Sequence, residues 1–142
     1  MIYLDTSAIL KLYLREEGSE RVQKIVEAQE DPLPVWHLLE AEFHNALRLQ
    51  VFWKSITIGQ CDRLWETFLE RVNAGFYYRP PVDWGALLEE CHRLGAWTPR
   101  LGCRTLDLMH VAYCRQLGIK TFVTFDQRQA VVAGRAGRQV LP

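Results

Sequence analysis

The sequence predicts an α/β fold, a parallel sheet flanked by helices, and three observations carry that prediction. Two β-prone runs near opposite ends of the chain, Ile2-Tyr3-Leu4 and Lys120-Thr121-Phe122-Val123-Thr124-Phe125, each lead into an aspartate, Asp5 and Asp126. Short apolar runs alternate with longer segments of helical composition, in β-α-α-β order at the start. The intervening helices also give the crossover length that a parallel connection needs. The two strands should therefore emerge side by side with their acids at one edge, the edge beyond which open α/β sheets bind ligands.

The totals support one domain covering residues 1–142, since 49% hydrophobic content with five Trp, five Tyr and six Phe can fill a core. No apolar run approaches the ~20 residues of a membrane span, and the N-terminus lacks a basic segment followed by a secretory apolar core, so a soluble cytoplasmic protein without membrane contact is expected. Cys61, Cys91, Cys103 and Cys114 are too widely spaced for a zinc site or a disulfide framework and are read as reduced core or surface thiols. The 17 basic and 17 acidic residues balance but are unevenly placed. Residues 93 to 142 hold eight basic side chains and two acids, a net of +6, and residues 1 to 92 hold nine and fifteen, a net of −6. A basic C-terminal third suits a phosphate backbone, although a solvated charge pattern explains it equally.

In chain order, Ser7 to Leu14 suits a short helix and Ser19 to Ala28 another, with Gly18 at the join. Asp31-Pro32-Leu33-Pro34 stops the second, and Leu33 to Trp36 reads as a strand. Leu38 to Lys54 and Ile58 to Val72 are helical, the latter halted at Asn73-Ala74-Gly75. Phe76 to Tyr78 reads as a strand closed by Pro80-Pro81, and Asp83 as the N-cap of a helix from Trp84 to Leu94. The helix from Arg104 to Cys114 is apolar almost all round and should be buried. A helix over Gln127 to Ala133, a turn at Gly134 to Gly137 and a strand at Gln139 to Leu141 finish the chain.

Spacing separates two acids of the third helix. At 100° per residue, Leu38, Leu39, Ala46, Leu49 and Trp53 share a stripe with Glu42 in its middle, so Glu42 is expected to point inward and Glu40, beside His44 and Arg48, to face solvent. A carboxylate in an apolar stripe needs a cation, a metal or donors, unless the helix is turned otherwise than the stripe suggests. Asp107 falls in the first turn of a buried helix, where the dipole favours the ionised form. Arg104 is a candidate partner for it, and His110 shares its side. Three of the acids have a plain structural reading: Asp5 as a cap, Glu42 as half of a buried ion pair, Asp107 as the partner of Arg104. Together, Asp5, Glu42, Asp107 and Asp126 read as a carboxylate cluster that a divalent cation would have to neutralise. Without zinc-type cysteines or a Gly-rich phosphate loop, Mg²⁺ or Mn²⁺ is the expected ion.

The stretches LDTSA, AEFHNAL around Glu42, RTLDLMHVA around Asp107 and FVTFDQRQ around Asp126 together resemble the PIN-domain family, specifically the small VapC-type toxins of toxin-antitoxin pairs. The resemblance runs over essentially the whole chain and implies an α/β/α fold with a parallel sheet of about five strands. It also implies Mg²⁺- or Mn²⁺-dependent endonucleolytic cleavage of RNA. It places the four acids at the metal and catalytic positions, Thr6 or Ser7 at the site hydroxyl, and Arg104 and His110 beside the third acid. Asp5, Asp107 and either Asp126 or Glu42 would hold the ion, with the remaining acid positioning water or completing the sphere. A VapB-like antitoxin and a homodimer are its implied partners.

Two other classes compete. A phosphatase of the haloacid dehalogenase type also carries an Asp after its first strand, but it needs a second two residues on, where Ser7 stands. A non-catalytic PIN-fold module binding RNA or protein would be favoured by loss of an acid, and all four are present.

Overall fold

A computed structural model describes all 142 residues. The elements run β1 (Ile2–Leu4), α1 (Thr6–Leu10), α2 (Ser19–Glu27), β2 (Leu33–Pro34), α3 (His37–Phe52), α4 (Ile58–Asn73), β3 (Tyr77–Tyr78), α5 (Trp84–Gly95), α6 (Thr98–Leu101), α7 (Thr105–Gln116), β4 (Thr121–Val123), α8 (Gln127–Arg135) and β5 (Gln139–Leu141). The chain packs as two compact units, Met1–Ala8 with Pro81–Pro142, and Ile9–Pro80. All strand pairings are parallel, as expected, but the five strands form two ladders, β1-β4-β5 in the first unit and β2-β3 in the second.

In the first unit, register is set by Ile2, Tyr3 and Leu4 pairing with Thr121, Phe122 and Val123. Leu4 and Val123 therefore end together. Asp5 N donates to Val123 O at 3.1 Å and Thr124 N to Leu141 O at 3.0 Å, which carries the ladder one residue further. The core behind this edge is aromatic: Tyr3 stacks on Phe122 at 5.4 Å and meets Tyr113 edge-on at 6.1 Å. Helix α7 buries Asp107, Leu108 and every residue from His110 to Cys114, in line with its all-round apolar sequence. Asp83 caps α5 by accepting from Ala86 N at 3.0 Å. All four cysteines are buried free thiols, and burial pushes Cys114 up to about 12.

The second unit packs α3 on α4 around Phe43, Trp65, Phe68, Tyr13 and Tyr77. Thr57 and Gln60 form a reciprocal capping box that starts α4, and Gly75 at φ 80° follows its end. No helix is long and apolar enough to cross a membrane.

Several expectations need correcting. The buried stripe of α3 is Leu39, Glu40, Phe43 and Leu47, whereas Leu49 and Trp53 are exposed. Glu40, expected in solvent, is 9% exposed, and Arg79 grips it through Nε–Oε1 at 2.6 Å and Nη2–Oε2 at 3.2 Å. Glu42, expected inward, is only half-buried on the flank of the stripe. Helix α1 ends at Leu10 instead of Leu14, because the following amides of Leu12 and Tyr13 bond three residues back, to Ile9 and Leu10, in tightened turns. The short α6, begun by Thr98-Pro99, leaves no periodic signal in the sequence, since four residues show no period. Helix α8 continues through Gly134 to Arg135, and the turn is carried by Gly137 at φ 76°.

Candidate acidic site

Asp5 leaves β1 and immediately starts α1. Its Oδ1 accepts from Ala8 N at 2.9 Å and from Ser7 Oγ at 2.7 Å, and its Oδ2 accepts from Thr124 Oγ1 at 2.7 Å. Asp5 is therefore the cap of α1, because one oxygen satisfies the helix start while the carboxylate stays fully enclosed. Burial raises its pKa, opposed by the charge of His110 and by the hydrogen bonds from Thr124, Ser7 and Ala8. Of the two candidate hydroxyls, Ser7 holds Asp5. Thr6 lies 3.5 Å from His110 Nε2 instead.

The acid paired across the sheet edge is not Asp126 itself. Register puts Thr124 beside Asp5, and Thr124 Oγ1 in turn accepts from Asp126 N at 2.9 Å. Asp126 is therefore set two residues past Thr124, at the start of α8, where its Oδ1 accepts from Arg128 N at 2.8 Å and Gln129 N at 3.0 Å. Asp107 occupies the first turn of α7 and accepts from Arg104 N at 2.8 Å through Oδ2. Asp5, Asp107 and Asp126 all sit at helix N-termini, where backbone amides and the dipole stabilise negative charge.

Arg104 ties two of them together. Its Nε reaches Asp107 Oδ2 at 3.1 Å, and Nη2 reaches both Asp107 Oδ1 at 3.0 Å and Asp126 Oδ2 at 3.3 Å. Burial acts to raise the Asp107 carboxyl, but the Arg104 side-chain and backbone bonds, with the charges of Arg104 and Arg128, hold it below the usual range. Gln129 closes the array, with Nε2 at 3.5 Å from Asp107 Oδ1 and its Oε1 buried without a hydrogen-bond partner. His110 is fully buried and meets the Tyr3 hydroxyl through Nδ1 at 2.7 Å, so it acts on Asp5 by charge and holds the core behind it.

Three of the four predicted acids, with Ser7 and Arg104, thus belong to one unit and its hydrogen-bonded network, and His110 lies in the same unit bonded to Tyr3. Glu42 belongs to the other unit, on α3. Thr124 and Gln129 were missed. The first stands two residues before Asp126, so its alternation was readable, but its partner Asp5 lies 119 residues away. The second had one sequence signal, its position three residues after an acid that caps its helix.

The donors fit a hard divalent cation: carboxylate oxygens of Asp107 and Asp126 that Arg104 bridges, and an orphaned amide oxygen on Gln129. No three His, Cys, Asp or Glu side chains are arranged as a ligand set for one ion. The charge between Asp107 and Asp126 is met by Arg104.

A parallel α/β sheet with carboxylates anchored at helix starts along its carboxyl edge defines the class. The PIN domain family model matches residues 2–135, and the chain belongs to that family. Solved structures share the fold over the whole chain. VapC20 from Mycobacterium tuberculosis, described as a sarcin-ricin loop cleaving toxin, is 13% identical, with 100% of both chains covered and a TM-score of 0.67. FitAcB from Neisseria gonorrhoeae is 18% identical over 100% of this chain and 97% of that one, with a TM-score of 0.65. FitAB bound to an IR36 DNA fragment is 20% identical over 99% and 94%, with a TM-score of 0.70. At these identities the likeness is one of fold. No curated protein sequence matches significantly.

Proposed function

We propose that the chain is a divalent-metal-dependent endoribonuclease and the toxin of a VapBC-type pair. The observation that carries this reading is the linked array Asp5–Thr124–Asp126–Arg104–Asp107, which fixes three acids at three helix starts of a PIN fold. The sarcin-ricin loop cleavage ascribed to VapC20 supports RNA as the substrate class.

Asp107 and Asp126 would hold Mg²⁺ or Mn²⁺, with Asp5 as the third acid of the site. When bound, such an ion lowers the pKa of water and stabilises charge on phosphoryl and leaving oxygens. The protein's own residues supply order. Ser7 and Thr124 lock the Asp5 carboxylate, and Thr124 passes that position on to the Asp126 backbone. Arg104, whose side chain is 62% exposed, is placed to exchange its hold on Asp126 for a phosphate oxygen. The basic C-terminal third divides into two sets. Arg93 and Arg115 pair with Glu90, and Arg138 donates to Ile119 O, so those charges serve the fold. Arg100, Lys120, Arg128 and Arg135 are exposed and would hold the RNA backbone. Glu42 enters on its AEFHNAL motif alone, and Glu42→Gln tests it directly.

The test is cleavage of an RNA pool by the purified chain with Mg²⁺ or Mn²⁺, beside a DNA pool and an EDTA control, comparing wild type with Asp5→Asn and Asp107→Asn. Metal-dependent RNA cleavage lost in both variants is the expected outcome. Equal cleavage by the variants would remove the site, and no cleavage of either pool would leave a binding module. By resemblance, an antitoxin helix offering a basic residue to the acids and a homodimer complete the proposal. Light scattering checks the latter.

A further inference from the structure

Helix α8 buries Gln129, Val132 and Ala133 on one face, and the glutamine is the misfit among them. It is 7% exposed, its Oε1 has no hydrogen-bond partner, and its Nε2 reaches Asp107 Oδ1 only at 3.5 Å, the outer limit of a hydrogen bond. A buried amide left this way is unfavourable and calls for an explanation. Turning the amide over does not satisfy it, because Oε1 would then face Asp107 Oδ1, acceptor against acceptor. Neither orientation is completed by the protein, and the turned-over one sets an amide oxygen against a carboxylate oxygen, which calls for a third group between them. A small hard cation resolves the conflict, since it accepts a neutral amide oxygen and a carboxylate oxygen together. The backbone is already fixed for this, because Gln129 N is bonded to Asp126 Oδ1 at 3.0 Å, which ties the same residue to both acids.

We propose that Gln129 is a further cation-holding residue of the acidic site, supplying a neutral oxygen beside Asp107 and Asp126. The inference rests on the metal-dependent reading above and extends it to a residue outside the four acids. A neutral donor would tighten the hold on the ion without adding to the repulsion among carboxylates that Arg104 offsets.

Calorimetric titration of Mn²⁺ into the full chain, with thermal denaturation in EDTA and in Mn²⁺, tests it for wild type, Asp107→Asn, Gln129→Leu and Gln129→Glu. Gln129→Leu should weaken Mn²⁺ binding by roughly 10- to 100-fold. It should also melt in EDTA at or above the wild-type temperature, because leucine removes the orphaned oxygen, and lose most of the Mn²⁺-induced rise. Gln129→Glu should bind Mn²⁺ more tightly than wild type. Unchanged Mn²⁺ affinity in Gln129→Leu, a lowered melting temperature in EDTA, or no tightening in Gln129→Glu would overturn the inference while wild-type binding lost in Asp107→Asn kept the cation site. Absence of Mn²⁺ binding by wild type, or equal binding by Asp107→Asn, would instead overturn the metal reading itself.

Discussion

Two arginine-carboxylate forks in this chain look alike and do different things. In the second unit, Arg79 takes both oxygens of Glu40, one positive group for one negative, at 2.6 and 3.2 Å. In the first unit, Arg104 takes both oxygens of Asp107 and then shares Nη2 with Asp126, one positive group for two negative ones. The Glu40 pair is closed, and nothing about it calls for a ligand. The Asp107 array puts two carboxylates on one guanidinium, stands at two helix N-termini, and includes a residue, Gln129, with an orphaned amide oxygen. Buried charge alone therefore does not mark a site. Charge that the protein leaves incompletely matched does.

The comparison breaks most sharply in activity. Asp107→Asn should lower metal-dependent RNA cleavage on the order of 10²-fold or more, whereas Glu40→Gln should leave the cleavage rate near wild type. Equal losses in the two variants, measured on folded protein, would end the distinction. Stability should report the reverse preference. Glu40→Gln removes the charge partner of Arg79, whose side chain is 40% exposed, and should lower unfolding free energy by about 1 to 2 kcal/mol in urea titrations. A smaller effect is expected at Arg104. Arg104→Gln removes the competing cation, and with an ion pair of this exposure worth up to ~1 kcal/mol, Mn²⁺ affinity should rise about fivefold in calorimetry. Weaker Mn²⁺ binding would show instead that the guanidinium helps build the site.

The smallest effect lies in the pH dependence of stability, and it separates Asp5 from Asp107. Burial raises the folded-state pKa of Asp5 above 3.8, so its contribution opposes folding increasingly as pH climbs from that value through the raised pKa. For Asp107 burial is outweighed by Arg104, and its depressed pKa gives stability present above 3.8 and lost as pH falls through the folded value. In EDTA, Asp5→Asn should therefore flatten the decline of melting temperature on the alkaline side of 3.8, and Asp107→Asn the decline on the acid side. The same slope change in both variants would contradict the assigned environments.

Asp5 and Asp126 after their strands, the buried α7 with Asp107 in its first turn, the Asp83 cap and the Gly75 stop were all legible in the sequence, because each depends on residues within a turn or two of one another. The four-motif resemblance was legible too, and the match over residues 2–135 bears it out. Only tertiary structure decided the phase of α3. Its sequence carries two apolar stripes, Leu38-Ala46-Leu49-Trp53 and Leu39-Phe43-Leu47, and the buried one is set by packing and by Arg79, 39 residues from Glu40. Only tertiary structure chose Thr124 as the neighbour of Asp5, through a strand register spanning most of the chain. Local patterns fix an element because its own backbone bonds enforce the period. Which side chain meets a given carboxylate depends on contacts between segments whose approach no local period encodes.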